Sequence, residues 1–90
     1  MGFIKIFTKA KCPKCPMVKE IGKELKKEGL PVFNFDLDTI EGLAEASFHS
    51  VLATPSIIVE DEDEREVASW IGVVPTIQEV KQYLLKGHSF

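Results

Sequence analysis

The sequence predicts one small α/β domain with the element order β-α-β-α-β-β-α, a mixed sheet covered by helices. Three observations lead there. Two apolar, β-rich runs at 3–8 and 32–37 are each followed by an apolar repeat at helical spacing, the pattern of a parallel crossover unit. Two further apolar runs are separated only by the charged stretch Glu60 to Glu66, as in an antiparallel hairpin. A chain of 90 residues, 44% hydrophobic and 28% charged, is the length and composition of a single globular domain, spanning 1–90, with no room for a large substrate cleft.

Taken in order, Phe3-Ile4-Lys5-Ile6-Phe7-Thr8 is β-branched and aromatic and mostly apolar on both faces, which is the signature of an interior strand. Cys12-Pro13 then places a proline at a first helical position with Cys12 as N-cap, and Met17, Val18, Ile21 and Leu25 repeat at helical spacing. Gly29 followed by Pro31 stops that helix. Gly22 inside it costs about 1 kcal/mol against alanine, which close packing on the sheet would explain. Pro16 removes another N–H and crowds the carbonyl of Cys12, so a distorted first turn is expected.

Val32 to Leu37 alternates, with Phe33, Phe35 and Leu37 on one face of a half-buried strand. Asp38 with Glu41 predicts an N-cap and its reciprocal acid, and Ile40, Leu43, Ala44, Phe48 and Val51 supply the apolar stripe of a second helix. Thr54-Pro55 leads into Ser56-Ile57-Ile58-Val59, and Val67 to Ile71 forms the second arm of the hairpin, with Glu60 to Glu66 as its solvated tip. Thr76-x-x-Glu79 is a capping box, Ile77, Val80 and Leu84 give a last stripe, Gly87 ends it, and 87–90, with His88, is expected to fray. His49, between Phe48 and Ser50, reads as a helix-end residue.

The formal charge of −3 conceals a division: residues 1–27 carry +6 and residues 28–90 carry −9. An acidic chain gives no reason to expect nucleic acid as a partner. The apolar runs fall far short of the roughly 18–20 residues of a membrane span, and no leader-like stretch precedes the first strand. The cytoplasm is therefore the expected compartment. In that compartment two cysteines three residues apart are poorly explained as a structural staple, because thiols are kept reduced and so short a loop constrains the unfolded chain little.

A cysteine at a helix N-cap and a second three residues later lie close enough to form a disulfide, and both face the positive end of the helix dipole. Together with Lys9, Lys11 and Lys14, the dipole favours thiolate, so Cys12 is expected to ionise at a pKa of roughly 4–7 rather than about 8.5. Cys15, flanked by Pro16 and Met17, should be shielded. The chemistry that follows is thiol–disulfide exchange: Cys12 attacks a substrate disulfide, Cys15 attacks the resulting mixed disulfide, and an external reductant resets the pair at a potential between about −280 and −180 mV. A zinc site needs four N or S ligands, and this chain offers one cysteine pair plus His49 and His88 at no ligand spacing. A docking or metal-binding module without turnover stands as the alternative of another class. The three lysines have two readings, a soluble surface or a device that tunes the nucleophile and steers anionic thiols.

The strand ending in Phe7-Thr8-Lys9, Cys12-Pro13-Lys14-Cys15 at the head of the next helix, and Thr54-Pro55 before the third strand together resemble the glutaredoxins of the thioredoxin-like superfamily, over nearly the whole chain. The resemblance implies the thioredoxin-like fold, with a four-stranded sheet in the order 2-1-3-4, three flanking helices and a cis peptide at Thr54-Pro55 beside the cysteines. It further implies that backbone next to Pro55 pairs with the bound thiol substrate, and that the proline ring keeps metals from the sulfurs. Thioredoxins proper resemble the chain less, since they carry a tryptophan directly before the first cysteine and a buried acid six residues before it, where Lys11 and Ile6 stand.

Lys9 matches the lysine with which glutathione-using glutaredoxins hold the glutathione carboxylate, but Gly72-Val73-Val74-Pro75-Thr76 replaces the double glycine and following pair of that site. Ser69-Trp70-Ile71-Gly72-Val73-Val74-Pro75 is instead similar to the Ser-Trp-x-Gly-x-x-Pro stretch of NrdH-redoxins, which take electrons from thioredoxin reductase and pass them to ribonucleotide reductase. The implied protein is a monomeric dithiol oxidoreductase with no bound cofactor, acting on protein disulfides and reset by NADPH through a thioredoxin reductase, or alternatively by glutathione. The candidate site is Cys12 and Cys15 as the catalytic pair, with Lys9, Lys11, Pro13, Lys14, Thr54, Pro55, Trp70 and Gly72 around them. For Trp70, on an alternating strand, packing competes with a role as a substrate platform.

Overall fold

The apolar run Phe3–Thr8 forms β1 and lies inside a four-stranded sheet of order β2-β1-β3-β4. The computed structural model of the chain describes residues 2–86, so the expected helix stop at Gly87 and the frayed tail 87–90 lie outside the described residues. After β1 come α1 (Cys15–Lys27), β2 (Val32–Asp36), α2 (Ile40–Phe48), β3 (Ser56–Glu60), β4 (Glu66–Ile71) and α3 (Ile77–Lys86). β1 pairs parallel with β2, Ile4 opposite Val32, and antiparallel with β3, Phe7 opposite Ser56. β3 and β4 form the hairpin, with an irregularity between Val59 and Glu60. This is the thioredoxin-like α/β fold in the strand order expected.

The pleat of β1 sends Ile4 and Ile6 to one face and Phe7 to the other. On the first face Ile4, Ile6, Ile57 and Val59 meet Val18, Ile21 and Leu25 of α1 and Val80 and Leu84 of α3 in the main core. Gly22 sits against this layer, and an added Cβ would come within 2.7 Å of Ile6 Cδ1, so close helix–sheet approach is indeed its role. On the second face Phe7, Ile58, Ala46 and Val51 form a smaller cluster with Phe35 and Leu37 at its edge.

Two element starts differ from the sequence reading, each for a physical reason. α1 begins at Cys15 with Lys14 as N-cap, so Cys12 and Pro13 precede the helix instead of opening it. Pro16 has no N–H to give to Cys12, and the helix starts where that proline falls in the first turn, where no donor is required. The N-cap of α2 is Thr39, whose side chain accepts from the Gly42 N–H at 3.0 Å, while Asp38 is used elsewhere.

The orientation of α2 is also reversed. Gly42 and Ala46 face the sheet, and Ile40, Leu43 and Phe48, expected in the core, are exposed. A Cβ at position 42 would overlap the Asp36 carbonyl, so the helix packs through its smallest residues. Before α3, Thr76 Oγ1 accepts from the Glu79 N–H at 3.1 Å and its hydroxyl approaches Glu79 Oε1 at 3.3 Å, fulfilling the predicted cap. The hairpin tip is shorter than expected. Asp61 Oδ1 accepts from the N–H groups of Asp63 and Arg65, both at 2.9 Å, and closes the turn, whereas Glu60 belongs to β3 and is buried.

Candidate active site

β1 delivers the chain to the dithiol. Beyond Thr8 it leaves the sheet through Lys9, Ala10 and Lys11, and this exit is anchored at two points: Leu37 N–H donates to the Thr8 carbonyl at 2.9 Å, and Ala10 N–H donates to Asp38 Oδ2 at 3.0 Å. Asp38 therefore fixes the approach to Cys12 and does not cap α2. The chain then turns, with Cys15 N–H donating to the Cys12 carbonyl at 3.3 Å, and enters α1. Cys12 and Cys15 are joined as a disulfide with their Cα atoms 5.3 Å apart. Cys15 is only 2% exposed beneath the helix start, while Cys12 is partly open to solvent.

The start of β3 shares this end of the sheet, because Ser56 pairs with Phe7 at the exit of β1. Thr54-Pro55 is a cis peptide, Pro55 is fully buried, and Ser56 Oγ donates to the Ala53 carbonyl at 2.6 Å. Gly72, leaving β4, donates its N–H to the Pro55 carbonyl at 2.8 Å. Its φ of +75° is one that residues with a Cβ seldom adopt, and an added Cβ would press on Ala53 at 3.4 Å. The topology thus gathers Cys12, Cys15, Thr54, Pro55 and Gly72 at the end of the sheet where β1 exits. Trp70 stands on β4 two residues before Gly72. It pairs with Ile57 across the hairpin, packs on the main core and sets its ring edge on Tyr83 of α3, with centroids 5.6 Å apart, so it has the contacts of a packing residue.

Pro13, Lys9, Lys11 and Lys14 are exposed beside the dithiol, and among the described residues none of these lysines forms an ion pair. Unpaired positive charge beside a helix N-terminus favours the thiolate over the thiol. The chain's other concentration of charge lies on the α2 face, and sequence reading missed it. Lys5 Nζ reaches Glu45 Oε2 at 2.6 Å, Glu60 Oε1 at 3.1 Å and His49 Nε2 at 3.1 Å; His49 in turn lies 3.4 Å from Glu60 and 3.7 Å from Glu66. Burial works to lower the Lys5 pKa, but the hydrogen bonds to Glu45 and Glu60 prevail and raise it above its ordinary value. The hydrogen bond from Lys5 holds Glu45 below the usual carboxylate range. The available signal was a lysine inside an otherwise apolar strand, a position that requires a buried carboxylate as partner.

A strand that ends at a cysteine pair, a helix that buries one of the two sulfurs, and a cis-proline strand start beside them define a thiol–disulfide oxidoreductase of the thioredoxin-like class. Members of this class carry their redox chemistry in the dithiol and need no bound cofactor. Comparison with known proteins agrees. The thioredoxin-domain family profile matches residues 3–85. A probable thioredoxin of Archaeoglobus fulgidus is 35% identical over 63 residues, 69% of this chain and 69% of that protein. Thioredoxin 1 of Thermosipho africanus superposes with a TM-score of 0.72 at 24% identity over 92% of this chain and 90% of its own. A thioredoxin pre-protein of Schistosoma mansoni gives 0.75 at 21% identity, over 94% of this chain and 77% of its own. The chain belongs to the thioredoxin-domain family. These relatives are thioredoxins by name, even though Lys11 and Ile6 replace the tryptophan and buried acid of thioredoxins proper.

Proposed function

We propose that this chain is a monomeric, cytoplasmic reductase of protein disulfides, in which Cys12 is the nucleophile, Cys15 resolves, and electrons come from NADPH through a flavoenzyme of the thioredoxin-reductase kind. The observation that carries this division of labour is the difference in access: Cys15 is 2% exposed and Cys12 is partly open. In the reduced protein the Cys12 thiolate attacks one sulfur of a substrate disulfide, forming a Cys12–substrate bond and expelling the other sulfur as a thiolate that takes a proton from solvent. Cys15 then loses its proton and attacks Cys12 Sγ. The substrate leaves fully reduced, two electrons have passed to it, and the Cys12–Cys15 disulfide remains. Lys9, Lys11 and Lys14 favour the attacking thiolate, and Thr54-Pro55 with Gly72 supplies the backbone edge beside it.

Support for the electron source comes from Gly72-Val73-Val74-Pro75-Thr76, which lacks the double glycine of glutathione sites, from the NrdH-like Ser69 to Pro75 stretch, and from the thioredoxin name of the relatives. Ribonucleotide reductase is accordingly one target to test. Lys9 favours the second reading, reset by glutathione. Comparing NADPH plus thioredoxin reductase with NADPH plus glutathione and its reductase separates the two: turnover with the first alone is expected, and turnover with glutathione alone would reverse the assignment. Cys12→Ser should abolish disulfide reduction, and Cys15→Ser should accumulate a mixed disulfide visible by mass spectrometry. Full activity of the Cys12→Ser protein would end the proposal.

A further inference from the structure

A sheet of order β2-β1-β3-β4 leaves β2 on an open edge. Its register with β1 says which backbone groups point outward. Ile4 N–H donates to the Pro31 carbonyl at 3.0 Å and Leu37 N–H to the Thr8 carbonyl at 2.9 Å, so in this parallel ladder Phe33 and Phe35 turn their N–H and C=O groups to β1. Val32, Asn34 and Asp36 therefore turn theirs away from it. The Asp36 carbonyl is taken by Thr39, whose N–H and hydroxyl donate to it at 3.0 and 2.7 Å. The N–H groups of all three, and the carbonyls of Val32 and Asn34, have no partner among the described residues.

Side chains give the two flanks of this edge unlike character. On the α2 side Phe33 is 46% exposed, with its ring centroid 5.9 Å from that of Phe3. On the α1 side a groove of about 370 Å³ is lined by Lys19, Gly22, Lys23, Lys26 and Asn34, so every charged group lining it is positive. Lys23 has an exposed contact with Glu20 at 3.4 Å, while Lys19 and Lys26 have no ion pair among the described residues. Lysines beside an edge strand discourage pairing with a like edge. Two copies of this chain joined antiparallel through β2 would set both lysine rows on the same side of the sheet, like charge against like. An acidic strand meets the opposite condition. Its alternate side chains fall on the lysine groove, and those between them fall beside Phe33 and Phe35.

We propose that the open edge of β2 takes up an extended segment of a partner protein, hydrogen-bonded to the outward groups of Val32, Asn34 and Asp36. Acidic side chains at every second position of the segment face Lys19, Lys23 and Lys26, and apolar ones alternate with them. None of these residues takes part in the dithiol chemistry, so the inference stands apart from it.

The test is fluorescence anisotropy with two labelled peptides of the same composition, one alternating glutamate and valine, the other with its glutamates and valines in separate blocks. The alternating peptide should bind about tenfold more tightly, because only it can place its charges and its apolar groups on the proper flanks while pairing with the edge. Lys19→Gln/Lys23→Gln/Lys26→Gln should weaken it about tenfold, through the loss of three exposed charge contacts. Asn34→Pro removes one outward N–H and spares the ladder with β1, and should weaken it about fivefold. Equal binding of the two peptides, binding that both variants leave within twofold, or no binding of either peptide overturns the proposal. Should Asn34→Pro fold poorly by circular dichroism, hydrogen exchange of the parent chain decides: the alternating peptide should slow the amides of Val32, Asn34 and Asp36, and unchanged exchange there overturns the proposal. Tighter binding of a single-stranded oligonucleotide than of the alternating peptide would give the groove to nucleic acid. Sedimentation that finds a dimer of the parent chain dissolved by Asn34→Pro would give the edge to a second copy. Either result overturns the proposal.

Discussion

Across β1, neighbouring residues meet unlike surroundings. Ile4 and Ile6 enter an apolar layer closed by Val18, Leu25 and Val80, with two helices above it. Lys5 and Phe7, one position along, face α2, where a small aromatic cluster adjoins a partly buried group of charges made by Lys5, Glu45 and His49 around the buried Glu60. The first face is stabilised by area removed from water and by close packing. The second depends on each charge keeping its partner, because an unpaired buried charge is costly. A single sheet therefore combines a tolerant side and a conditional side. The conditional side is held by one short helix that approaches through glycine and alanine.

The sharpest way to break this comparison is Lys5→Met. It leaves Glu60, 2% exposed, with only His49 as an ion-pair partner among the described residues, and should cost about 3–5 kcal/mol in urea unfolding. Combining it with Glu60→Leu should recover most of that loss, turning the second face into a copy of the first. A double variant no more stable than the single one would show that the charges do more than neutralise each other. Leu25→Ala, on the apolar face, should cost about 2–5 kcal/mol, and no second substitution of charge should rescue it. Gly42→Ala forces a methyl into the Asp36 carbonyl and should cost about 1–3 kcal/mol, seen as a lower Tm together with weakened protection of α2 amides.

The smallest effect is a pH dependence. Glu45 has a folded pKa below its ordinary 4.5, so its contribution is complete above that value and is lost as pH falls through the folded pKa. Glu45→Gln should lower stability by about 1 kcal/mol or less near neutrality, and the gap from the parent should close on acidification below pH 4.5. Lys5 titrates in the opposite sense: its raised pKa gives stability that is complete below 10.5 and is lost only as pH rises through the folded value. Urea midpoints across pH measure both.

The apolar face was legible because Val18, Ile21, Leu25, Val80 and Leu84 recur at helical spacing, and periodicity reports burial when large side chains supply it. The same rule misplaced α2, where Gly42 and Ala46 make the contact and the large residues look outward. Glu60 read as part of a solvated tip because neighbouring acids hide which of them the strand takes inside. The dithiol and Thr54-Pro55 could be read as chemistry because so few residue types perform it. The start of α1 could not, since Pro13 and Pro16 both suit a first turn and only the backbone decides between them.

The burial of Cys15 next to an accessible Cys12 also bears on damage. A peroxide that reaches the site meets Cys12 first and leaves it as a sulfenic acid, with a thiol held three residues away whose Cα lies 5.3 Å distant in the joined form. Condensation releases water and yields the same disulfide that turnover produces. Oxidation is thereby stopped at its reversible rung, and the reductase that completes the ordinary cycle also repairs the injury.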